Sequence, residues 1–195
     1  MLTGQYSHLT GVYTLSYNLN PDSLNIAKIL KKNGYQPALV GKWHLKKEPS
    51  GFDFYKVLPG QGKYNNPVFK TKENWEDGYK GGKQEQGFSA DVIGDSSIEW
   101  LKKRKSKKPF FLMTHFKATH EPFDYPERHN EFLKNTPMPE PESLYDFLPS
   151  NSGRSFSGQQ LEILTNRWLN FSNKENYDTD VQYPGMPFSV DGQSQ

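Results

Sequence analysis

The sequence contains no cysteine, so disulfides, thiolate metal ligands and cysteine nucleophiles are excluded from the chemistry of this 195-residue stretch. Apolar residues are sparse as well, at 33% of the chain. No apolar run approaches the ~20 residues that cross a bilayer, and no membrane span is expected. Residues 1–5 lack the basic and apolar regions of a signal peptide, so none is expected in this stretch. Charge of a single sign is lacking too. The net charge is +2, and six of the 24 basic residues sit in one run, Lys102-Lys103-Arg104-Lys105-Ser106-Lys107-Lys108. Outside that run the 22 acidic residues are in the majority. A nucleic-acid-binding protein spreads its basic charge over a face, so no nucleic-acid partner is expected.

What the chain does have is aromatic side chains, 14% of its residues, together with 16 glycines and 14 prolines. The aromatic content argues against wholesale disorder. The glycines and prolines indicate a loop-rich fold that stops well short of low complexity. One domain of this length buries roughly 70% of the surface its unfolded chain exposes. Asp22-Ser23 ahead of Leu24, Ala27 and Leu30 predicts a capped helix that ends at Asn33-Gly34. Ala38-Leu39-Val40 then suits a short buried strand. Residues 48–87 lose all periodicity, and excursions of that length are usually functional or carry minor strands. Ala90, Ile93, Ser97 and Leu101 predict a second helix. The basic run lies at its C-terminal end, where cations suit the helix dipole. Phe110-Phe111-Leu112-Met113 reads as a second strand. The order helix–strand, excursion, helix–strand predicts an α/β fold with a parallel sheet. Beyond Pro122 the chain is Pro-rich coil, with a third amphipathic helix expected near residues 159–169, Leu161, Leu164 and Trp168 on one face. No internal repeat is present.

Both strands run directly into polar clusters. Ala38-Leu39-Val40 leads into Gly41-Lys42-Trp43-His44, and Phe110 to Met113 leads into Thr114-His115-Phe116-Lys117-Ala118-Thr119-His120. Ligands of open α/β sheets bind outside the carboxyl ends of the strands, so two Lys/His pairs could converge on one crevice. Lysine offers a compact positive charge, and histidine exchanges a proton near neutral pH. The pair suits a sulfate or phosphate ester, where charge must be stabilised and a leaving oxygen protonated. Position by position, a lysine after a strand is most often a surface charge, and a lone histidine is most often structural.

Several motifs stand in one characteristic order. They are Leu2-Thr3-Gly4-Gln5-Tyr6-Ser7-His8 with Gly11-Val12, Asn33-Gly34-Tyr35 with Gly41-Lys42-Trp43-His44-Leu45, Gly51-Phe52-Asp53, and Lys117-Ala118-Thr119-His120-Glu121-Pro122-Phe123. In this order the chain resembles the type I sulfatases, the formylglycine-dependent enzymes of the alkaline phosphatase superfamily, over roughly residues 1–148. Gly60-Gln61-Gly62-Lys63-Tyr64 and Pro141-Glu142-Ser143-Leu144 are similar to the branch acting on sulfated sugars.

The resemblance implies an alkaline phosphatase-like sandwich with a mostly parallel central sheet flanked by helices, incomplete at both ends. Residues 1–150 would be part of the catalytic domain, and residues 151–195 a continuation or divergent tail, mostly coil with one helix. It implies that Lys42 binds sulfate oxygens. His44 would stand beside the formylglycine hydrate and help collapse the sulfated intermediate. His120 would contact the sulfate and the leaving-group oxygen as general acid, with Lys117 as a further contact to substrate or sulfate. Thr119 replaces the family's usual proline, which would slightly loosen the geometry around His120. His8 reads as structural, and His115 and His129 receive no role.

By the same resemblance, the residue converted to formylglycine lies upstream of Met1, and the acidic ligands of a calcium ion further upstream still. Met1 itself stands where the family has an internal apolar residue. A hard cation needs about six oxygen ligands, and Asp178 and Asp180 lack the expected context for the family's later pair. The expected function is therefore hydrolysis of sulfate esters on carbohydrates such as glycosaminoglycan-type sugars, as part of a longer protein, with the isolated chain inactive. Two alternatives stay open, a phosphoryl or phosphonate hydrolase on the same fold and a non-catalytic truncated paralogue that binds sulfated glycans. The resemblance also implies a periplasmic, extracellular or lysosomal location. The basic run reads as a solvated helix end or as a site for heparin-like polyanions or a nuclear signal. Asn170-Phe171-Ser172 matches a glycosylation sequon.

Overall fold

The computed structural model describes residues 2–14, 16–105 and 107–139. It opens on a single helical turn, α1 (Ser7–Thr10), closed by Gly11 in the left-handed conformation. The next helix, α2 (Ile26–Lys32), starts later than the sequence suggests because Asn25, not Asp22 or Ser23, is its cap. The buried Asn25 side chain accepts from Lys28 N at 3.0 Å and donates to Ser50 O and Oγ. One side chain thus caps the helix and ties it to the loop before Gly51. Leu24, outside the helix, is exposed.

The central strand β1 (Gln36–Trp43) is buried along most of its length. It pairs in parallel with β2 (Phe54–Pro59) on one side and, from more than 60 residues further along the chain, with β5 (Phe110–His115) on the other. The order β2-β1-β5 makes this a three-stranded parallel sheet. Between β2 and β5 lie a small antiparallel pair, β3 (Val68–Phe69) and β4 (Lys83–Gln84), and the long helix α3 (Ser89–Lys103). The excursion at residues 48–87 therefore contains a full strand of the main sheet. β2 evades a sequence reading because Lys56 interrupts its apolar run. The Lys56 ammonium meets Glu85 at 2.7 Å and Ser96 Oγ at 3.0 Å.

Successive residues of a strand face opposite sides of its sheet, and β1 uses both. Leu39 and Trp43 pack with Ala27 of α2, Phe52, Tyr55 and Val57. Val40 packs with Leu58, Phe69 and Ile93 of α3. Both faces are covered by helices, as parallel sheets require. Fully burying one such aliphatic side chain contributes about 1.5–3 kcal/mol. An exposed ion pair such as Lys31–Asp53, at 2.7 Å, contributes about 0–1 kcal/mol. Burial, not surface charge, therefore holds the strands in place.

Gly41 sets the approach of β1 to β5. Its φ is 106°, and a Cβ there would lie 1.9 Å from His115 O. The basic run ends α3 and turns toward β5. Lys103 pairs with Glu99 at 2.5 Å, Arg104 lies over the Phe110 ring, and Lys105 bonds the Gln36 side chain. Lys102 and Lys103 thus form the last turn of α3 and Arg104 its cap. The sequon, Asp178, Asp180, the expected helix at residues 159–169 and the whole of residues 151–195 lie outside the described residues.

Candidate active site

The three parallel strands deliver their carboxyl ends to one edge of the sheet. Lys42 is the next-to-last residue of β1 and His44 follows it. A turn at residues 60–64 leaves β2, and β5 runs on into the turn that carries Lys117 and His120. Two of these segments meet on Gln61. Its side-chain Oε1 accepts from Lys42 Nζ at 2.6 Å, and its main-chain oxygen accepts from Lys117 Nζ at 3.1 Å. The turn is fixed by Gly62, whose φ is 63° and whose Cβ would lie 2.4 Å from Leu58 Cγ.

Lys117 is 4% exposed. Besides Gln61 it donates to Glu121 O at 3.2 Å and stands 4.7 Å over the Tyr64 ring. Tyr64 is itself buried, stacked on Phe88, and its hydroxyl donates to His120 O at 2.5 Å. The His120 amide closes the turn on Lys117 O at 2.9 Å. Thr119 therefore sits in a hydrogen-bonded turn, and the peptide bonds Ala118–Thr119 and Glu121–Pro122 are cis. His120 Nδ1 lies 2.9 Å from Glu121 O. A carbonyl only accepts, so Nδ1 carries the proton and Nε2 is the nitrogen that titrates.

His44 is half-buried and meets Tyr79 edge-on, with ring centroids 5.9 Å apart. Burial, aided by the charges of Lys42, Lys46 and His120, depresses its pKa to about 4. It is neutral at physiological pH and can accept a proton. Burial likewise lowers His120, with Lys42 and Lys117 adding to the fall and the Glu121 carbonyl and carboxylate opposing it. Lys117 falls to about 8, chiefly by burial and then by the charge of Lys42, against the pull of Glu121. Lys42 is lowered by burial. Four depressed basic groups in one place are what desolvation and crowded positive charge produce. An anion bound among them would oppose these shifts, most strongly at the groups that touch it.

The residues singled out from sequence thus fall into one arrangement. Lys42 and Lys117 share Gln61, Tyr64 links Lys117 to His120, and His44 lies within the electrostatic reach of Lys42 and His120. His115 is a strand contact, its Nδ1 3.2 Å from Lys42 O. His8 is exposed against Tyr6, and His129 lies against Phe132. Sequence reasoning missed Gln61, Tyr64 and Tyr79 as parts of the site, and Lys70 as a buried lysine. The signal for Gln61 and Tyr64 was the Gly60-Gln61-Gly62-Lys63-Tyr64 stretch, which acquires meaning only once β2 is known to precede it, whereas Lys70 and Tyr79 carry no local signal. Among the described residues no group of three or more His, Asp or Glu side chains converges as a metal site would require. The calcium that the resemblance implies finds no ligand set there.

Comparison with known proteins gives this geometry a context. An N-acetylglucosamine-6-O-sulfatase of Bacteroides thetaiotaomicron is 38% identical over 174 residues, covering 86% of this chain and 30% of that relative. An ulvan-active sulfatase of Formosa agariphila is 29% identical over 175 residues, covering 84% of this chain and 32% of that relative. A protein solved in complex with its substrate D-glucosamine-2-N,6-O-disulfate superposes with a TM-score of 0.71 at 35% identity, over 86% of this chain and 33% of its own. The chain spans about a third of the length of these relatives. The sulfatase family model matches residues 1–183, a span that takes in both strand ends and the Gln61 turn between them, and this chain belongs to the sulfatase family.

Proposed function

We propose that the protein carrying this chain hydrolyses sulfate esters on carbohydrates of the glycosaminoglycan type, and that this chain supplies part of the sulfate pocket. The observation that carries the reading is the seating of Lys42 and Lys117 on one residue, Gln61, beside His120. Support for the sugar comes from a relative named as an N-acetylglucosamine-6-O-sulfatase and from a similar protein solved with D-glucosamine-2-N,6-O-disulfate.

In this reading Lys42 and Lys117 hold the non-bridging oxygens of the sulfate. The bound anion raises the pKa of His120, so that Nε2 carries a proton near neutral pH. As a nucleophile bonds to the sulfur and takes the sulfuryl group, the ester S–O bond breaks, its electron pair stays on the sugar oxygen, and that oxygen takes the proton from Nε2. His44, kept neutral by burial and the neighbouring cations, accepts a proton elsewhere in the cycle. The nucleophile and any cation come from outside the described residues.

The test is to express the longest reading frame containing this chain. Inorganic sulfate released from glucosamine 6-sulfate is then compared with phosphate released from glucosamine 6-phosphate. Sulfate release should dominate, and His120→Ala should lower kcat/KM by about 10²–10⁴-fold. Lys42→Ala should weaken substrate capture and turnover together. Dominant phosphate release would make the protein a phosphoryl hydrolase. Binding of the sulfated sugar with no turnover would make it a glycan-binding protein. The isolated 195-residue chain should show no turnover, and measurable hydrolysis by it would refute the assignment of the nucleophile to another part of the protein.

A further inference from the structure

We infer that Gln61 is a positioning residue of the anion site, which holds Lys42 and Lys117 side by side without neutralising either. The inference shares with the proposed function only the view that these two lysines receive an anion. Its geometric basis is separate. Gln61 presents two different oxygens to two different ammonium groups, Oε1 to Lys42 at 2.6 Å and the main-chain O to Lys117 at 3.1 Å. The backbone that aims them is constrained on both sides. Gly60 and Gly62 have φ of 60° and 63°, and a Cβ on either would press on Tyr79 or Leu58.

The residue type at this position decides what the pocket can bind. An amide oxygen accepts from an ammonium as a carboxylate does, but it brings no charge. A glutamate here would supply the counter-anion internally and turn the two-cation floor into an ion pair. Glutamine leaves the positive charge uncancelled and keeps two N–H donors of its own. Lysine has three N–H donors. Lys42 gives one to Gln61, and Lys117 gives one each to the carbonyls of Gln61 and Glu121. Donors are therefore left on both ammonium groups for the oxygens of an incoming anion. The other charged or titratable groups around them are His44, Lys46, Tyr64, His115, His120 and Glu121. Only Glu121 is acidic, so removing the neutrality of residue 61 has a large effect on local charge.

The two oxygens also separate this role from a merely structural one. Gln61→Ala deletes Oε1 and keeps the main-chain oxygen, whereas Gln61→Glu keeps the shape and adds a charge. The experiment is pH-dependent lysine acylation of the protein, resolved residue by residue with mass spectrometry, with and without inorganic sulfate. Lys70 serves as an internal folding control. It is fully buried and bonded to Glu76 O and Gly78 O, so it stays protected for as long as the fold persists. With Lys70 still protected, Gln61→Glu should raise the labelling midpoints of Lys42 and Lys117 by about one pH unit or more. Protection by sulfate should weaken at least about tenfold, in step with that shift. Gln61→Ala should move the Lys42 midpoint and leave that of Lys117 nearly in place. Unchanged midpoints in Gln61→Glu, or equal shifts of both lysines in Gln61→Ala, would overturn the inference. If sulfate fails to protect the unsubstituted protein, the anion reading falls instead, and the midpoints still decide the role of Gln61.

Discussion

Tyr64 donates its hydroxyl hydrogen to His120 O at 2.5 Å, joining a buried residue of the turn after β2 to an exposed one beyond β5. Burial, together with the charge of Asp124, pushes the Tyr64 hydroxyl up to about 12. It remains a donor at every pH where the protein is used. Tyr64→Phe removes this one bond, keeps the stacking on Phe88, and leaves a carbonyl to find water. The expected loss is about 1 kcal/mol of stability, read from the urea midpoint. In a sulfate-release assay of the full-length protein, kcat should fall more than KM rises, because the turn that aims His120 loosens while the lysines stay in place. A KM effect alone would mean that the bond has no bearing on His120.

His44 makes the protein's stability depend on pH in a predictable direction. Its folded-state pKa is about 4 against an ordinary 6.5. Between these values the unfolded chain binds a proton that the folded chain refuses. Stability therefore rises with pH across that window and is lost as pH falls from 6.5 toward 4. His44→Gln should flatten this part of the curve. Denaturant midpoints collected from pH 4 to 7 check the point, and a slope unchanged in the variant would mean that another group controls it.

What the sequence makes legible here, and what it hides, follows from how far apart the interacting parts lie. β1, α3 and β5 can be read directly because Leu39-Val40, the spacing of Ile93 and Ser97, and Phe110 to Met113 carry their own periodicity. β2 escapes because Lys56 looks like a loop residue until Glu85 and Ser96 are folded against it. The start of α2 is displaced because Asn25 is chosen as cap by its contact with Ser50, a tertiary relationship. At the site, Lys42, His44, Lys117 and His120 are visible as residue types at strand ends. Gln61 is not, since one of its two contacts uses a main-chain oxygen that any residue would possess. Only the parallel pairing of β2 and β5 on the two sides of β1 brings that oxygen within reach of Lys117.

Gly41 gives the sharpest test of that pairing. A methyl group at this position would stand 1.9 Å from His115 O, on a backbone with φ of 106°. The obstruction is main chain inside a sheet and cannot swing aside. Gly41→Ala should cost more than about 4 kcal/mol, beyond the range of ordinary substitutions. Loss of soluble protein, or of its cooperative unfolding transition, is the expected result. A folded Gly41→Ala protein with a normal midpoint would show that β1 and β5 do not approach at this point.

Lys70 offers the last test, and it connects the core to the site. The side chain is fully buried, its Nζ donating to Glu76 O at 2.6 Å and Gly78 O at 3.0 Å while lying 4.8 Å over the Trp75 ring. Gly78 in turn donates to Lys46 O, and the next residue, Tyr79, packs edge-on against His44. Lys70→Met keeps the apolar stem and removes the ammonium. Burying the charge opposes folding, and desolvation lowers the Lys70 pKa. Two carbonyls left without their charged donor weigh more, at about 1.5–3 kcal/mol for such a bond. A net destabilisation of about 1–3 kcal/mol is expected. With the loop released, Tyr79 no longer shields His44, and the His44 pKa should climb from about 4 toward its ordinary value. Titrating the imidazole by NMR in Lys70→Met separates the two effects. A protein that is less stable but whose His44 still titrates near 4 would confine Lys70 to the core.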